Sequence, residues 1–171
     1  MAKRQFEFIN HSENLTPALK QMLEFINNKL VANVPAINLL FKSKIILTEL
    51  ITNSLKHSNS INTKIIINIT VKNIQISKID YGVPLSLITY SNSGKTKVPV
   101  INDALHTLYA VPKEQNKVTF MCEENKMIDI LSIDNIMEHF GLLIITKASD
   151  RFVYSYDPDA KSNTFTALLN Y

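Results

Sequence analysis

A switch in hydrophobic period is the feature that most constrains the fold of this chain. Apolar residues from about Leu40 to His57 recur at helical spacing, whereas residues 65–71 largely alternate between apolar and polar. The alternating segment predicts a strand with one buried face, and a short turn near Lys72 joins it to a partner strand over 74–80. The sequence therefore predicts a helix that leads directly into an antiparallel hairpin.

The other elements follow from caps, turns and periodicity. Before the helix and hairpin we expect an opening strand at 6–8 and a helix capped by Thr16 that ends before Pro35. After them we expect a short helix at 101–111 and a hairpin of 118–122 with 127–131. A helix from 134 or 135 to about 149 and closing strands at 152–156 and 164–169 complete the chain. Short turns between consecutive strands favour a mostly antiparallel, mixed sheet. Helices on one face would complete a two-layer α/β sandwich.

Composition narrows the class of protein. The 171 residues are 46% hydrophobic and 19% charged, which is typical of one globular domain spanning 1–171. The net charge of +3 is scattered along the chain, so we expect no nucleic-acid partner. The single cysteine, Cys122, excludes an intramolecular disulfide and suits a reducing compartment. Since we find neither a signal peptide nor a membrane-spanning run, we expect a cytoplasmic protein without a membrane partner.

The most informative motif lies on the second predicted helix. Glu49, Asn53 and Lys56 stand at positions i, i+4 and i+7 and therefore share one helical face. An amide oxygen suits Mg²⁺, a carboxylate can deprotonate an attacking hydroxyl, and an ammonium can neutralise phosphate, so the trio suits phosphoryl transfer. The alternative is a solvated helix face with a weak polar pair.

Two further motifs lie downstream. Residues 80–84, Asp-Tyr-Gly-Val-Pro, follow a predicted strand, and their alternative interpretation is an ordinary turn at the end of that strand. Residues 139–145, His-Phe-Gly-Leu-Leu-Ile-Ile, place a glycine where a helix could present its N-terminal amides to phosphate. Their alternative is a plain helix with a buried apolar stripe. Thr164 opens the last strand, although threonine is common in strands.

These segments together resemble the motifs of the GHKL superfamily, which includes histidine-kinase catalytic domains and bacterial anti-sigma-factor serine kinases. The run Glu-Leu-x-x-Asn-x-x-Lys-His at 49–57 resembles the N-box, and 80–84 resembles the G1 box in the Asp-x-Gly-x-Pro form of the anti-sigma branch. The segment 139–145 resembles the G2 box, with His139 where the family has its first glycine. The resemblance implies a Bergerat ATP-binding fold with an atypical lid or insert at about 85–133.

The resemblance also implies a role for each matched residue. By position, Glu49 would be the general base, Asn53 the Mg²⁺ ligand, and Lys56 and His57 would lie near the phosphates. Asp80 would accept the adenine amine, with Gly82 beside the base and Thr164 near the adenine. Gly141 and Leu142 would lie at the helix start that faces the phosphates. Lys95 and Lys97 in the insert are further candidates for the phosphates. The implied ligands are ATP or ADP with Mg²⁺.

The function implied is an ATP-binding regulatory protein similar to anti-sigma-factor serine/threonine kinases, which phosphorylates or sequesters a partner protein. The partner would be a sigma factor or an antagonist-like protein, and homodimerisation follows by family analogy alone. Two alternatives stay open, a nucleotide-binding module without catalysis and an interaction domain that lost its ligand. His139 and the insert favour the former, while the joint presence of Glu49, Asn53 and Asp80 speaks against the latter.

Overall fold

The computed structural model describes residues 1–30, 35–57, 60–88, 96–103, 105–125 and 140–171. Within these ranges the chain forms eight strands and three helices. In chain order they are β1 (Ala2–Ile9), α1 (Ser12–Lys29), α2 (Ala36–His57), β2 (Asn62–Ile69), β3 (Asn73–Tyr81), β4 (Val98–Asn102), β5 (His106–Glu114), β6 (Lys117–Glu124), α3 (Phe140–Ala148), β7 (Arg151–Asp157) and β8 (Ser162–Asn170).

All eight described strands belong to one sheet, in the order β1-β2-β3-β8-β7-β6-β5-β4. Each neighbouring pair is antiparallel. The β3–β8 pair lies near the centre, so the last strand of the chain joins the hairpin β2–β3 to the strands that follow it. Residues distant in sequence are therefore brought side by side at the centre of the sheet.

The predicted Bergerat-type sandwich of helices on a mixed sheet is wrong. Strands hold 44% of the described residues and helices 35%, and the sheet is antiparallel throughout rather than mixed. The reason lies in the region 85–133, which the motif pattern leaves unmatched. Its described part adds β4, β5 and β6 to the sheet instead of forming a lid, so the fold is dominated by sheet.

The short helix predicted at 101–111 is also wrong, because this stretch contains the β4–β5 turn. Asp103 makes that turn, since its Oδ1 accepts hydrogen bonds from the backbone N–H groups of Leu105 (2.7 Å) and His106 (2.6 Å). An aspartate that bonds the backbone two and three residues on is a common turn device. Burial alternates from Leu108 to Val111 within β5, as expected of a strand.

The predicted hairpins β2–β3 and β7–β8 and the second helix are confirmed. The predicted cap of the first helix is wrong, because α1 begins at Ser12 and Pro17 lies inside it. The predicted strand at 127–131 and the helix start at 134 or 135 lie outside the described residues.

The core lies where the helices meet the sheet. Alternate residues of β2 and β3, among them Ile65, Ile67, Ile74 and Ile76, are fully buried. Helix α2 packs against both other helices and contacts β3 and β8, so its apolar face closes over the centre of the sheet. No helix in the described ranges is long and apolar enough to cross a membrane.

Candidate functional site

A cavity of about 260 Å³ lies where α2 and α3 meet strands β3 and β8. Five residues predicted for the site line it: Asn53, His57, Asp80, Gly141 and Leu142. Six further residues complete the lining: Leu50, Lys78, Val83, Leu85, Asn163 and Phe165. Three motif segments that are far apart in sequence therefore contribute to a single cavity.

Two neighbouring strands supply the polar centre of the cavity. On β3, Lys78 and Asp80 are two residues apart and so point to the same face of the sheet. Across the β3–β8 ladder, Lys78 lies opposite Phe165 and Asp80 lies opposite Asn163. We call these four residues the floor; all four are buried and line the cavity.

Lys78 and Asp80 form a buried ion pair. Lys78 Nζ lies 2.6 Å from Asp80 Oδ2, and the two side chains are 4% and 10% exposed. The ammonium also lies 4.7 Å from the centre of the Phe165 ring, where a cation is favourably placed. Burial lowers the pKa of Lys78 from its usual value, and the Asp80 carboxylate opposes that shift.

Sequence reasoning missed Lys78 although a signal was present. Along β3, Ile74 and Ile76 are buried, and Lys78 and Asp80 continue the same alternation. A lysine in phase with a buried strand face is uncommon and usually has a partner. The carboxylate two residues later was the obvious candidate for that partner.

A series of hydrogen bonds through Tyr154 and Asn163 fixes the cavity wall beside the floor. Tyr154 OH donates to Asn163 Oδ1 at 2.6 Å and accepts the backbone N–H of Leu85 at 2.9 Å. Asn163 Nδ2 in turn lies 3.4 Å from the carbonyl oxygen of Val83. The segment that follows β3 is thereby tied to β8, and Val83 and Leu85 are held at the cavity.

Tyr154 should report on this network in an alkaline titration. Burial raises the pKa of Tyr154 to about 12, although the N–H of Leu85 opposes the shift. Because this value exceeds the ordinary 10.0, the unfolded chain loses the proton first, and stability should fall as the pH rises from 10 towards 12. Burial also raises the pKa of Tyr171, so we expect the tyrosinate absorbance to show a late transition near pH 12 whose amplitude Tyr154→Phe reduces. A Tyr81→Phe control, at a half-exposed side chain, should retain it; loss of the transition in that control would contradict the assignment.

Helix α2 forms a second wall. Leu50, Asn53 and His57 lie at i, i+3 and i+7, so one helical face carries all three towards the cavity. His57 is exposed and lies at the mouth. Lys56 is also exposed but does not line the cavity. The predicted trio is therefore divided, with Asn53 at the cavity and Lys56 outside its lining.

Glu49 and Asn53 lie directly against α3 at Gly141. A Cβ atom at Gly141 would be 2.8 Å from Glu49 Oε2 and 3.1 Å from Asn53 Nδ2. A side chain at this position would force Glu49 to move and would crowd Asn53, so glycine lets α3 approach both polar groups without displacing them. The amide oxygen of Asn53 is a ligand that a hard cation such as Mg²⁺ accepts, and Glu49 places a carboxylate beside the same glycine.

Gly82 and Thr164 do not line the cavity. Gly82 has a φ of 144°, which disfavours other residues, and an added Cβ would meet nothing within 4 Å. Its backbone conformation, rather than a close approach to a ligand, accounts for the glycine. Thr164 points to the opposite face of β8 from its neighbours Asn163 and Phe165, which line the cavity.

The candidate residues of the region 85–133 give a mixed result. Lys97 does not line the cavity; its Nζ lies 2.5 Å from Glu123 Oε2 and 3.6 Å from the centre of the Tyr109 ring. Lys95 lies outside the described residues, as does His139 of the third motif.

No protein-family model matches the chain, and no curated protein matches it significantly. Within the part of the chain that the structure describes, no group of three or more His, Cys, Asp or Glu side chains is arranged to hold a metal ion. Magnesium that is bound together with a nucleotide needs fewer protein ligands, because phosphate oxygens and water complete its shell. What the cavity can bind therefore follows from its own residues.

Proposed function

We propose that the cavity binds the base of an adenine nucleotide, ATP or ADP, in a regulatory protein that phosphorylates or sequesters a partner protein. One observation carries the proposal: Asn53, Asp80 and Gly141 line one cavity, and Glu49 lies against Gly141. The resemblance of the three motifs to those of GHKL proteins supports the same ligand. The support comes from these residues and their placement, since the fold departs from the expected sandwich.

The chemistry of the lining suits a purine base. Leu50, Leu85, Leu142 and Phe165 offer apolar surface to a flat ring. Asp80 offers a carboxylate that can accept an exocyclic N–H in a desolvated setting, where such a charge-assisted bond is strong. The volume of about 260 Å³ is small for a whole nucleotide and suits the base.

The phosphates would then extend towards α3 and the mouth of the cavity. His57 lies at that mouth, and Asn53 and Glu49 lie beside Gly141, the second residue of the described α3. Asn53 would hold Mg²⁺ through its amide oxygen, and the ion would neutralise charge on the phosphates. Glu49 would position or deprotonate the attacking hydroxyl.

Calorimetric titration with Mg-ATP and Mg-ADP tests the proposal. Asp80→Asn keeps the shape of the side chain but replaces a charged acceptor, so we expect affinity to fall about tenfold or more. Asp159→Asn, in the exposed turn before β8, is the matched control and should bind as the wild type does. Absence of nucleotide binding by the wild type would refute the proposal, as would equal affinity for the Asp80 variant.

The Lys78–Asp80 ion pair favours a second candidate, an interaction domain that binds no nucleotide. A carboxylate that already has a buried cationic partner does not need a ligand to satisfy it. The same titration separates the two candidate functions. A folded interaction domain that binds no nucleotide would give no heat of binding with either Mg-ATP or Mg-ADP.

A further inference from the structure

Lys78 places a hydrogen-bond donor directly beside the acceptor of the floor. We propose that Lys78 is a specificity-determining residue that donates a hydrogen bond to the ring nitrogen next to the exocyclic amine of the base. Asp80 and Lys78 would together recognise two adjacent atoms on one edge of the ligand. This inference rests on the proposed function, since it concerns how the same cavity selects its base.

The Lys78 ammonium has more hydrogen-bond donors than its ion pair uses. An ammonium carries three N–H bonds and a carboxylate has about four lone-pair positions. The contact between Nζ and Asp80 Oδ2 at 2.6 Å uses one of each. Asp80 Oδ1 and the remaining donors of Lys78 are therefore available to a ligand in the cavity that both residues line.

The Lys78 ammonium is held in place by two neighbours. Its side chain is 4% exposed, and its Nζ lies 2.6 Å from Asp80 Oδ2 and 4.7 Å from the centre of the Phe165 ring. A group held in this way loses little conformational freedom when it binds a ligand. A buried ammonium is also poorly solvated, so a ligand atom that accepts from it is strongly favoured over one that does not.

The floor is complementary to one edge of adenine. The Watson–Crick edge of adenine presents an amine donor at N6 next to an acceptor at N1. The floor presents an acceptor, Asp80, next to a donor, Lys78, in the complementary order. A base with a carbon in place of N1 would leave the ammonium facing an apolar atom.

A ligand series on the unaltered protein gives the sharpest test. Calorimetry would compare Mg-ATP with its 1-deaza, 3-deaza and 7-deaza analogues, each of which exchanges one ring nitrogen for carbon. We expect the 1-deaza analogue to bind about ten- to a hundredfold more weakly. The other two analogues should bind within about threefold of ATP, which makes them controls for the altered ring.

Variants then assign the effect to Lys78. In Lys78→Met the penalty for the 1-deaza analogue should shrink to about one- to twofold. Lys64→Met is the matched control, because Lys64 occupies the opposite face of the neighbouring strand β2. That variant should keep the full penalty. If Lys78→Met does not fold, the ligand series on the wild type still decides the question.

The outcomes separate this inference from the proposed function. Equal binding of ATP and 1-deaza-ATP by the wild type would overturn the role of Lys78 and leave nucleotide binding intact. Tighter binding of GTP than of ATP would overturn the assignment to adenine, because guanine presents a carbonyl in place of the amine. Failure to bind any of the nucleotides would overturn the proposed function and this inference together.

Discussion

Replacing Asp80 by alanine is expected to lower the free energy of unfolding by about 3–5 kcal/mol, because it leaves a buried ammonium without its carboxylate. Lys78 is 4% exposed and cannot recover its hydration without moving out of the floor. Urea unfolding monitored by circular dichroism measures the change. Asp159→Ala in the exposed turn should change stability by no more than about 0.5 kcal/mol.

A double variant tests whether Asp80→Ala destabilises the protein because Lys78 is left without a partner or because a favourable contact is lost. Lys78→Met combined with Asp80→Leu removes both charges and fills the space with apolar groups. Replacement of a whole buried pair in this way is often neutral or stabilising, so we expect the double variant to recover most of the stability lost by Asp80→Ala. It should also fail to bind ATP. Additive losses from the two sites would contradict the ion-pair explanation.

The pH dependence of the Asp80→Ala variant follows from the same pair. Burial lowers the pKa of Lys78 in the folded state, so the unfolded chain binds more protons in the window below the ordinary value of 10.5. Stability therefore rises with pH across that window. Removal of the carboxylate lowers the pKa of Lys78 further, so the destabilisation by Asp80→Ala should be largest just below that lowered pKa, where Lys78 is still charged, and should shrink as the pH rises and Lys78 loses its proton.

Five residues that the sequence singled out lie together at one cavity, whereas the predicted fold is wrong. Helical spacing placed Asn53 on one face of the second helix with Glu49, and strand periodicity placed Asp80 at the end of a predicted strand. Both inferences use one local period and no knowledge of distant pairing. Asn163 was missed as a site residue because the motif match drew attention to its neighbour Thr164. Adjacent residues of a strand point to opposite faces, and the register of β8 with β3 determines that Asn163 rather than Thr164 points into the cavity.

The fold was mispredicted because long-range strand pairing has no local signal. The stretch 101–111 contains apolar residues at spacings compatible with a helix, but pairing of β5 with β4 and β6 determines its structure. Tertiary context of this kind commonly overrides local propensity. Once β6 also pairs with β7, the described strands β4, β5 and β6 become part of the sheet rather than a lid above it.

The other large effect concerns Glu49. We expect Glu49→Gln to lower phosphoryl transfer or ATP hydrolysis about 10²- to 10⁴-fold, the range found when a general base is removed. Glutamine keeps the size of the side chain that contacts Gly141 but cannot accept a proton. Affinity for Mg-ATP should change by less than about threefold, because Glu49 does not line the cavity proposed for the base. Phosphate release from Mg-ATP and calorimetry on the same sample measure the two quantities.

Glu24→Gln on α1 is the matched control, since this exposed glutamate lies outside the cavity lining and its weak pair with Lys20 is at the surface. It should leave both quantities unchanged. A parallel loss of affinity in Glu49→Gln would make Glu49 a binding residue rather than a base. Equal rates for Glu49→Gln and the wild type would contradict catalysis by Glu49 and favour the sequestering form of the regulator, in which nucleotide controls partner binding and phosphate is not transferred. The Glu49 variant thus decides between two regulators that use the same nucleotide site.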